Sequence, residues 1–428
     1  MMKRILTITL TVAACLVLTT SCSKDLFDKK AYDEYVSYQF MIDNVDTNHD
    51  WCLTKTGTTV FTVPESANYY GIQVLTDNPY TVATAEIAAE GACSGGKVKL
   101  TYTVPLTHQT LYAVVVNSSG GALGVVPFNY GTPALDINAD NLQRNGIYHE
   151  PTYQTFTYLY ETTFPLPDDF DYNDLVLRVT KSYTADSHQV DLTVTVVAAG
   201  TLLPYAAAIQ LAGVRYDDIT SVEIVEGERL DKDYPFPRTF IESDRTLVRG
   251  RSGEAVISLF ENVHWVLNRK FDDLGNILAL KYNTSPVDVD KLSGTVPAVS
   301  ATYRITCKDT ETAHSITFDR IDPFVVNQAK MEKSMSLGIW EVHTYACKFN
   351  GVLRDVFKDR SAYDNHISWA LAIPKPDFRY PLEGIALCTY NNETGETFGP
   401  YAGYASWMQN HNAYHNWFQT ETVPDLLY

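Results

Sequence analysis

The sequence predicts a mainly β protein, built from antiparallel β-sandwich domains and carrying one short helix near its amino terminus. Short runs of β-branched and aromatic residues recur from Thr58 onward, and turn residues such as Asn78-Pro79 and Ser94-Gly95-Gly96 separate them. Across residues 190–196 apolar and polar side chains alternate, which is typical of a strand with one buried face. A chain of 428 residues is too long for one ordinary core, so we expect two or three domains.

The first 21 residues have the proportions of a signal peptide. A basic start at Lys3 and Arg4 precedes an apolar run, residues 5–18, that is too short to span a bilayer. The stretch from Leu18 to Cys22 resembles a bacterial lipobox, in which the chain is cleaved before the cysteine and that cysteine is acylated. We therefore predict a signal peptide over residues 1–21 and a lipidated tether over residues 22–30. The alternative is ordinary secretion with an incidental Cys22.

The charge of the chain is strongly negative. It is −18 overall, and it becomes −20 after signal removal, because residues 1–21 carry two of the 33 basic side chains and none of the 51 acidic ones. Such a surface repels nucleic acid and anionic lipid, so nucleic acid is excluded as a partner and the lipid on Cys22 is the predicted membrane anchor. The same charge is compatible with binding divalent cations.

Five cysteines besides Cys22 remain after signal removal, and secretion would place them in an oxidising compartment. They are Cys52, Cys93, Cys307, Cys347 and Cys388. Pairing Cys52 with Cys93 and Cys307 with Cys347 would keep each bridge within one predicted domain. The number is odd and spacing does not determine pairing, so the disulfide pattern stays open.

Two β-domains are predicted after the tether. The first, residues 31–131, opens with an amphipathic helix in which Tyr32, Tyr35, Val36 and Phe40 recur at near-helical spacing. Its predicted strands are residues 58–63, 69–75, 97–104, 111–116 and 123–129. The second domain, residues 132–428, has predicted strands at residues 155–160, 175–179, 190–196, 221–225, 255–260, 301–306, 315–318 and 368–373. It ends in a short helix or turn-rich cap within residues 401–417.

The densest group of oxygen ligands lies between two predicted strands of the second domain. Asp169, Asp171 and Asn173 stand at alternate positions, so a curled loop brings their side-chain oxygens together while Phe170 and Tyr172 point elsewhere. Hard oxygen ligands of this kind favour calcium.

Further oxygen ligands for this loop would come from Asp174 and from Glu161 or Asp168. The loop is not an EF-hand, because its sixth position is Asp174 rather than glycine and its twelfth is Thr180 rather than glutamate. The alternative is an acidic turn whose side chains cap the backbone. Residues 46–50 and 136–140 share the alternate spacing, and we interpret both as turns.

Residues 169–176, Asp-Phe-Asp-Tyr-Asn-Asp-Leu-Val, resemble the signature D-x-D-[FY]-N-D-[LM]-V of the LruC-domain lipoproteins, a family of Bacteroidetes type. Further agreement, in the same order, lies at residues 321–326, 341–343 and 372–374, at Phe378, Tyr380-Pro381 and Glu383, and in the helix leading into residues 48–51. The family usually has an aspartate where this chain has Thr162. The resemblance implies a β-sandwich lipoprotein of the outer membrane with a calcium loop, and it implies no defined activity.

Catalytic signatures are mostly absent: the sequence has no G-x-S-x-G elbow, no H-E-x-x-H and no phosphate-binding glycine loop. Aromatic residues near the carboxyl terminus, Trp407 and Trp417 above all, are candidates for stacking on sugar rings. The alternative is that they close the core of the sandwich.

We therefore expect a lipid-anchored, non-catalytic protein of the outer membrane or cell surface that acts in binding or adhesion and holds a structural calcium ion. Its ligand is an unidentified protein or glycan. The alternative function is a glycan-binding or glycoside-hydrolysing surface lipoprotein. The sequence leaves the membrane face and the oligomeric state open.

Overall fold

The computed structural model describes residues 45–65, 69–162, 169–184, 186–284, 294–330, 336–348, 350–356, 367–391 and 394–428. The predicted signal peptide, Cys22, the tether, the amino-terminal helix and Asp168 lie outside these residues. The prediction of a mainly β fold with antiparallel sheets is confirmed.

The first part of the chain forms a sandwich of two sheets, called here the small sandwich. Its strands are β1 (Thr54–Thr62), β2 (Gly71–Leu75), β3 (Glu86–Ala92), β4 (Lys97–Pro105), β5 (Thr110–Val116), β6 (Ala122–Asn129), β7 (Ala134–Asp136) and β8 (Thr152–Tyr153). One sheet has the order β4-β1-β7 and the other β6-β5-β2-β3-β8. Because β7 pairs with β1 and β8 with β3, this unit extends to Tyr153, beyond the predicted boundary at residue 131.

The rest of the chain forms a second, larger sandwich, called here the large sandwich. Its strands are β9 (Thr155–Tyr160), β10 (Leu175–Tyr183), β11 (Gln189–Ala199), β12 (Tyr205–Arg215), β13 (Ile219–Gly227), β14 (Leu247–Arg249), β15 (Glu254–Phe260), β16 (Tyr282–Asn283), β17 (Gly294–Thr295), β18 (Val299–Cys307), β19 (Ile321–Lys330), β20 (Ser336–Val342) and β21 (Ala370–Ile373). One sheet runs β13-β18-β11-β10-β9-β21, with β16 paired to β11 and β17 paired to β16, and the other runs β14-β15-β12-β19-β20.

The remaining elements are short. A two-stranded sheet joins β22 (Thr389–Tyr390) to β23 (Thr397–Phe398), and the α-helices within the described residues are α1 (Val263–Asn268), α2 (Thr310–Ser315) and α3 (Gly403–Gln409). Single 3-10 turns occur at Tyr216–Asp218, Tyr345–Cys347, Trp417–Gln419 and Pro424–Leu426. Within the described ranges, no helix has the length and apolar character needed to cross a membrane.

The core of the large sandwich follows from the strand alternation. The apolar residues of β11 at positions 190, 192, 194 and 196 are almost fully buried, and Asp191 on its other face pairs with Arg304. Tyrosines of β9 cross the core: the Tyr158 hydroxyl donates to the Ile321 carbonyl at 3.1 Å and the Tyr160 hydroxyl donates to the Pro323 carbonyl at 2.5 Å. Hydrogen bonds between the two sheets therefore accompany the apolar packing.

The carboxyl-terminal aromatic residues belong to this core. Trp407 is 0% exposed and Trp417 is 2% exposed, and their ring centroids lie 5.7 Å apart. His49 and Trp51, near the start of the described chain, pack against Trp407 at 4.4 and 5.4 Å. The prediction that Trp407 and Trp417 contact glycans is therefore wrong, because neither ring has a face open to a sugar.

All five cysteines of the described chain are free thiols, and Cys307, Cys347 and Cys388 are buried. Neither of the two pairings that the spacing allowed is formed. Burial raises the pKa of the Cys388 thiol to about 12, so this thiol is protonated at neutral pH.

A buried lysine lies where the two sandwiches meet. The Lys181 amine, on β10, donates to the Tyr183 hydroxyl at 2.8 Å, and that hydroxyl donates to the Ala88 carbonyl of the small sandwich at 3.1 Å. The Thr103 hydroxyl of the small sandwich donates to Asp319 at 2.9 Å in the same region. Burial lowers the pKa of Lys181 to about 7, although the charge of Asp319 opposes the shift.

We expect Lys181→Met to stabilise the protein at pH 7 and to lose this advantage towards pH 10.5. The folded pKa of Lys181 lies below that of the unfolded chain, so unfolding takes up a proton between about pH 7 and 10.5 and wild-type stability rises with pH there. The difference in free energy of unfolding between variant and wild type should narrow by about 4 kcal/mol from pH 7 to 10.5.

Urea unfolding of both proteins across the pH range measures this gap. The matched control is Lys97→Met, which replaces an exposed lysine of the small sandwich. A gap for Lys181→Met that does not vary with pH contradicts the prediction.

Candidate metal centre

The acidic loop, residues 169–174, lies between the end of β9 and the start of β10. These strands pair antiparallel, with Leu175 opposite Tyr160, so Glu161 at the end of β9 lies beside the loop. Glu161, Asp171 and Asn173 are each at most 2% exposed. The loop is therefore part of the interior rather than a solvated turn.

The aromatic residues of the loop fix its curvature. Phe170 and Tyr172 have φ angles of 53° and 54°, in the left-handed region that bulky side chains rarely adopt. Both rings are fully buried: Phe170 packs on Trp369 with centroids 5.5 Å apart, and the Tyr172 hydroxyl donates to the Ser368 carbonyl at 2.6 Å. Core burial of the two rings stabilises the strained backbone.

Three carboxylates converge at this curved loop. One carboxylate oxygen from each of Glu161, Asp169 and Asp171 lies within 4.8 Å of the other two. A cation with oxygen ligands at about 2.3–2.6 Å holds neighbouring ligand oxygens at such separations. The donor set is entirely oxygen, and three carboxylates fit a hard divalent ion better than a soft one. We call these three residues the carboxylate cluster.

Asp174 and Asn173, the other two predicted ligands, form hydrogen bonds that hold the loop in place. One carboxylate oxygen of Asp174 accepts hydrogen bonds from the Thr162 amide and hydroxyl at 2.7 and 2.8 Å. The Asn173 side-chain amide donates to the Pro381 carbonyl at 3.3 Å, and the Asn173 carbonyl accepts from the Gly200 amide at 3.0 Å. The predicted ligand set therefore divides into three converging carboxylates and two anchoring residues.

Two glycines that the sequence prediction missed shape the site. A Cβ atom on Gly200 would lie 1.9 Å from Asn173 Oδ1, so no side chain fits there. Gly384, with φ at 73°, donates its amide to one carboxylate oxygen of Asp171 at 2.7 Å. Both contacts join segments that are far apart in sequence, so local sequence patterns do not reveal them. The family resemblance includes Glu383, which is next to Gly384, but neither glycine.

Burial and charge act together on Asp171. Burial raises the pKa of Asp171 well above its ordinary value, and the charges of Asp169, Asp174 and Glu383 raise it further, against the Gly384 amide, which lowers it. Ionising the cluster without a cation is therefore costly. A divalent cation would favour the ionised form and remove this cost.

The two stretches that share the alternate spacing are turns, as predicted. In one of them, the Asn138 side chain accepts from the Asp140 amide at 2.9 Å. In the other, Asp46 accepts from the Asn48 amide at 2.9 Å and from the His411 ring at 2.6 Å. Among the described residues, only the carboxylate cluster gathers at least three ligand side chains within the range suited to a metal.

A second buried ionic group lies in the other sheet. His343 Nδ1 is 2.6 Å from an Asp322 oxygen and its Nε2 is 2.9 Å from a Glu341 oxygen, and all three side chains are almost fully buried. Burial alone would lower the pKa of His343, but Asp322 and Glu341 outweigh it and raise the pKa to about 9. Glu341 also accepts the amides of residues 352–354 at 2.6 Å each. The charged histidine therefore offsets part of the negative charge of two carboxylates that organise the loops around them.

We expect alkaline pH to remove the stabilisation that His343 provides. Its folded pKa of about 9 lies above the unfolded value of 6.5, so the contribution is fully present below pH 6.5 and is lost as pH rises through about 9. In urea unfolding, the free energy of unfolding of wild type should fall by about 3 kcal/mol more than that of His343→Gln between pH 6 and 10. His188→Gln, at an exposed histidine, is the control. Equal losses in wild type and His343→Gln contradict the assignment of charge to His343.

Residues 187–418 match the model of a protein family described as a domain of unknown function (DUF4842). The chain belongs to this family. The DUF4842 match includes the His343 group, Lys281 and Glu383, and it begins after the acidic loop.

The solved structures that match this chain include the following two. The crystal structure of a "putative lipoprotein from Bacteroides ovatus" aligns with 14% identity and a TM-score of 0.46, over 85% of this chain and 99% of that one. The full-length major pilin SpaD from Corynebacterium diphtheriae aligns with 12% identity and a TM-score of 0.15, over 68% and 66%. TM-scores this low do not establish a shared fold. No curated protein matches the sequence.

Proposed function

We propose that this DUF4842 protein is a lipid-anchored, non-catalytic protein of the bacterial outer membrane that acts in binding or adhesion. The carboxylate cluster carries the proposal, as a calcium site that fixes the sandwich structure. The stretch from Leu18 to Cys22 supports the lipid anchor.

The buried carboxylates favour a structural role for the ion. Glu161 accepts the Tyr172 amide at 2.6 Å, and Asp171 accepts the amides of Asn173 and Gly384 at 3.1 and 2.7 Å. The carboxylates are thus engaged with backbone donors of the loop itself. A calcium ion here would join the end of β9 to the acidic loop, and Asp171 would connect it to the sequence-distant segment around Gly384.

The LruC resemblance supports the same proposal from a second place in the fold. The segments that carry the resemblance at residues 321–326 and 341–343 supply Asp322, Glu341 and His343, which lie in contact. The motif residues that this chain has in common with the LruC family therefore lie at two buried ionic groups, the acidic loop and the group around His343. A common sandwich architecture would require both groups. We therefore propose a LruC-like large sandwich.

We expect calcium to stabilise the protein and Asp171→Asn to abolish the effect. Extracellular calcium modules bind with Kd values of about 0.1–1 mM, so 1 mM calcium would contribute roughly 0.4–1.4 kcal/mol. The measurement is the melting temperature with calcium and with a chelator. Asp140→Asn, at the exposed turn with the same alternate spacing, should keep the wild-type response. A wild-type melting temperature that chelator and 1 mM calcium leave unchanged contradicts the proposed exchangeable site.

We expect Cys22→Ala to abolish lipid attachment, because Cys22 would be the acylated residue. Metabolic labelling with a radioactive or alkyne-bearing fatty acid, followed by gel analysis of the full-length protein, measures the attachment. Cys52→Ala, at a cysteine of the mature chain, is the control. Label that persists in Cys22→Ala removes the anchoring proposal.

A further inference from the structure

Lys281 is a built-in positive charge beside the carboxylate cluster. It directly precedes β16, and β16 pairs with β11 at residues 198 and 199, next to Gly200. The Gly200 amide in turn donates to the carbonyl oxygens of Asn173 and Asp174, at 3.0 and 3.1 Å. The sheet therefore places Lys281 next to the acidic loop independently of any ion.

The Lys281 amine forms an ion pair with Glu383. Glu383 directly precedes Gly384, whose amide donates to Asp171 at 2.7 Å. Lys281 is partly buried, with 31% of its side chain exposed, and Glu383 is largely buried, with 11% exposed. The pair is therefore joined to the carboxylate cluster through one peptide unit and is only partly screened by water.

The charge of Lys281 also acts on the loop directly. Asp169 and Asp174 both interact electrostatically with the Lys281 amine, and with Glu383 they hold the amine in its charged form although burial opposes this. Lys281 thus partly neutralises the acidic region when no divalent ion is bound. A calcium ion entering the cluster would meet a like charge close by.

We propose that Lys281 is an internal competitor that weakens and tunes calcium binding at the carboxylate cluster. The inference rests on the proposed calcium site. It differs from a purely structural role for Lys281, in which the ion pair holds Glu383 and Gly384 in place for Asp171. The two roles predict opposite signs: loss of a competitor strengthens calcium binding, whereas loss of a structural clamp weakens it.

Isothermal titration of calcium into the full mature protein in detergent tests this inference. We expect Lys281→Met to bind calcium about tenfold more tightly than wild type, and Lys281→Arg, which keeps the charge, to stay within about twofold of wild type. Lys308→Met, at a lysine paired with Asp218 far from the loop in the fold, is the matched control. Lys281→Gln is a second charge-removing variant for the case that Lys281→Met does not fold.

The outcomes separate the two proposals. Tighter binding by Lys281→Met or Lys281→Gln, including binding that appears only in these variants, supports the competitor role. Unchanged or weaker binding in both, with clear binding by wild type, overturns the role of Lys281 and leaves the calcium site standing. Absence of calcium binding in wild type and in every variant overturns the calcium site and the inference together.

Discussion

The large sandwich depends on how its buried carboxylates are compensated. Three buried glutamates are compensated in the same way, because each accepts hydrogen bonds from backbone amides of a neighbouring loop. Glu161 accepts the amide of residue 172, Glu261 accepts the amides of residues 239–241, and Glu341 accepts the amides of residues 352–354. A buried carboxylate without such partners would cost several kcal/mol, so each glutamate both requires and organises its loop. Positive side chains complete two of these arrangements, with Arg238 and Arg229 on Asp231 beside Glu261 and His343 on Glu341. The acidic loop differs because it brings carboxylate oxygens of Glu161, Asp169 and Asp171 within 4.8 Å of one another. We propose that a divalent cation offsets this concentrated charge and that the loop is part of the architecture rather than a reaction centre.

Alternation and turn chemistry were sufficient to predict much of the fold. β10 and β11 could be recognised because their buried faces require apolar residues at every second position, and the residues between them are turn formers. β3 was missed: its sequence, Glu-Ile-Ala-Ala-Glu-Gly-Ala, has weak strand propensity, and it becomes a strand through pairing with β2 and β8. The small sandwich extends past the expected boundary at residue 131 because two short strands, β7 and β8, pair with its sheets. Strands of three and two residues have no clear signal in the local sequence.

At the metal centre, too, the sequence predicts features that depend on nearby residues and misses those that depend on tertiary contacts. The spacing of Asp169 and Asp171 is a local pattern, and the convergence of these two side chains with Glu161 follows from the antiparallel pairing of β9 with β10. The sequence pattern could not show that Asn173 and Asp174 anchor the loop, because their partners at Pro381, Gly200 and Thr162 are set by tertiary structure. For Trp407 and Trp417 the sequence left both glycan contact and core packing open, because a surface aromatic platform and a core aromatic cluster have the same composition; their burial shows core packing.

We propose that a calcium ion occupies the space between Glu161, Asp169 and Asp171. Crystals grown with calcium and measured at a long X-ray wavelength, where calcium scatters anomalously, would show this ion. We expect an anomalous peak bonded to oxygens of these three carboxylates at about 2.3–2.6 Å. A well-ordered loop with no anomalous peak at saturating calcium, its carboxylates bridged by water or by the Lys281 amine instead, would show that no calcium ion binds there.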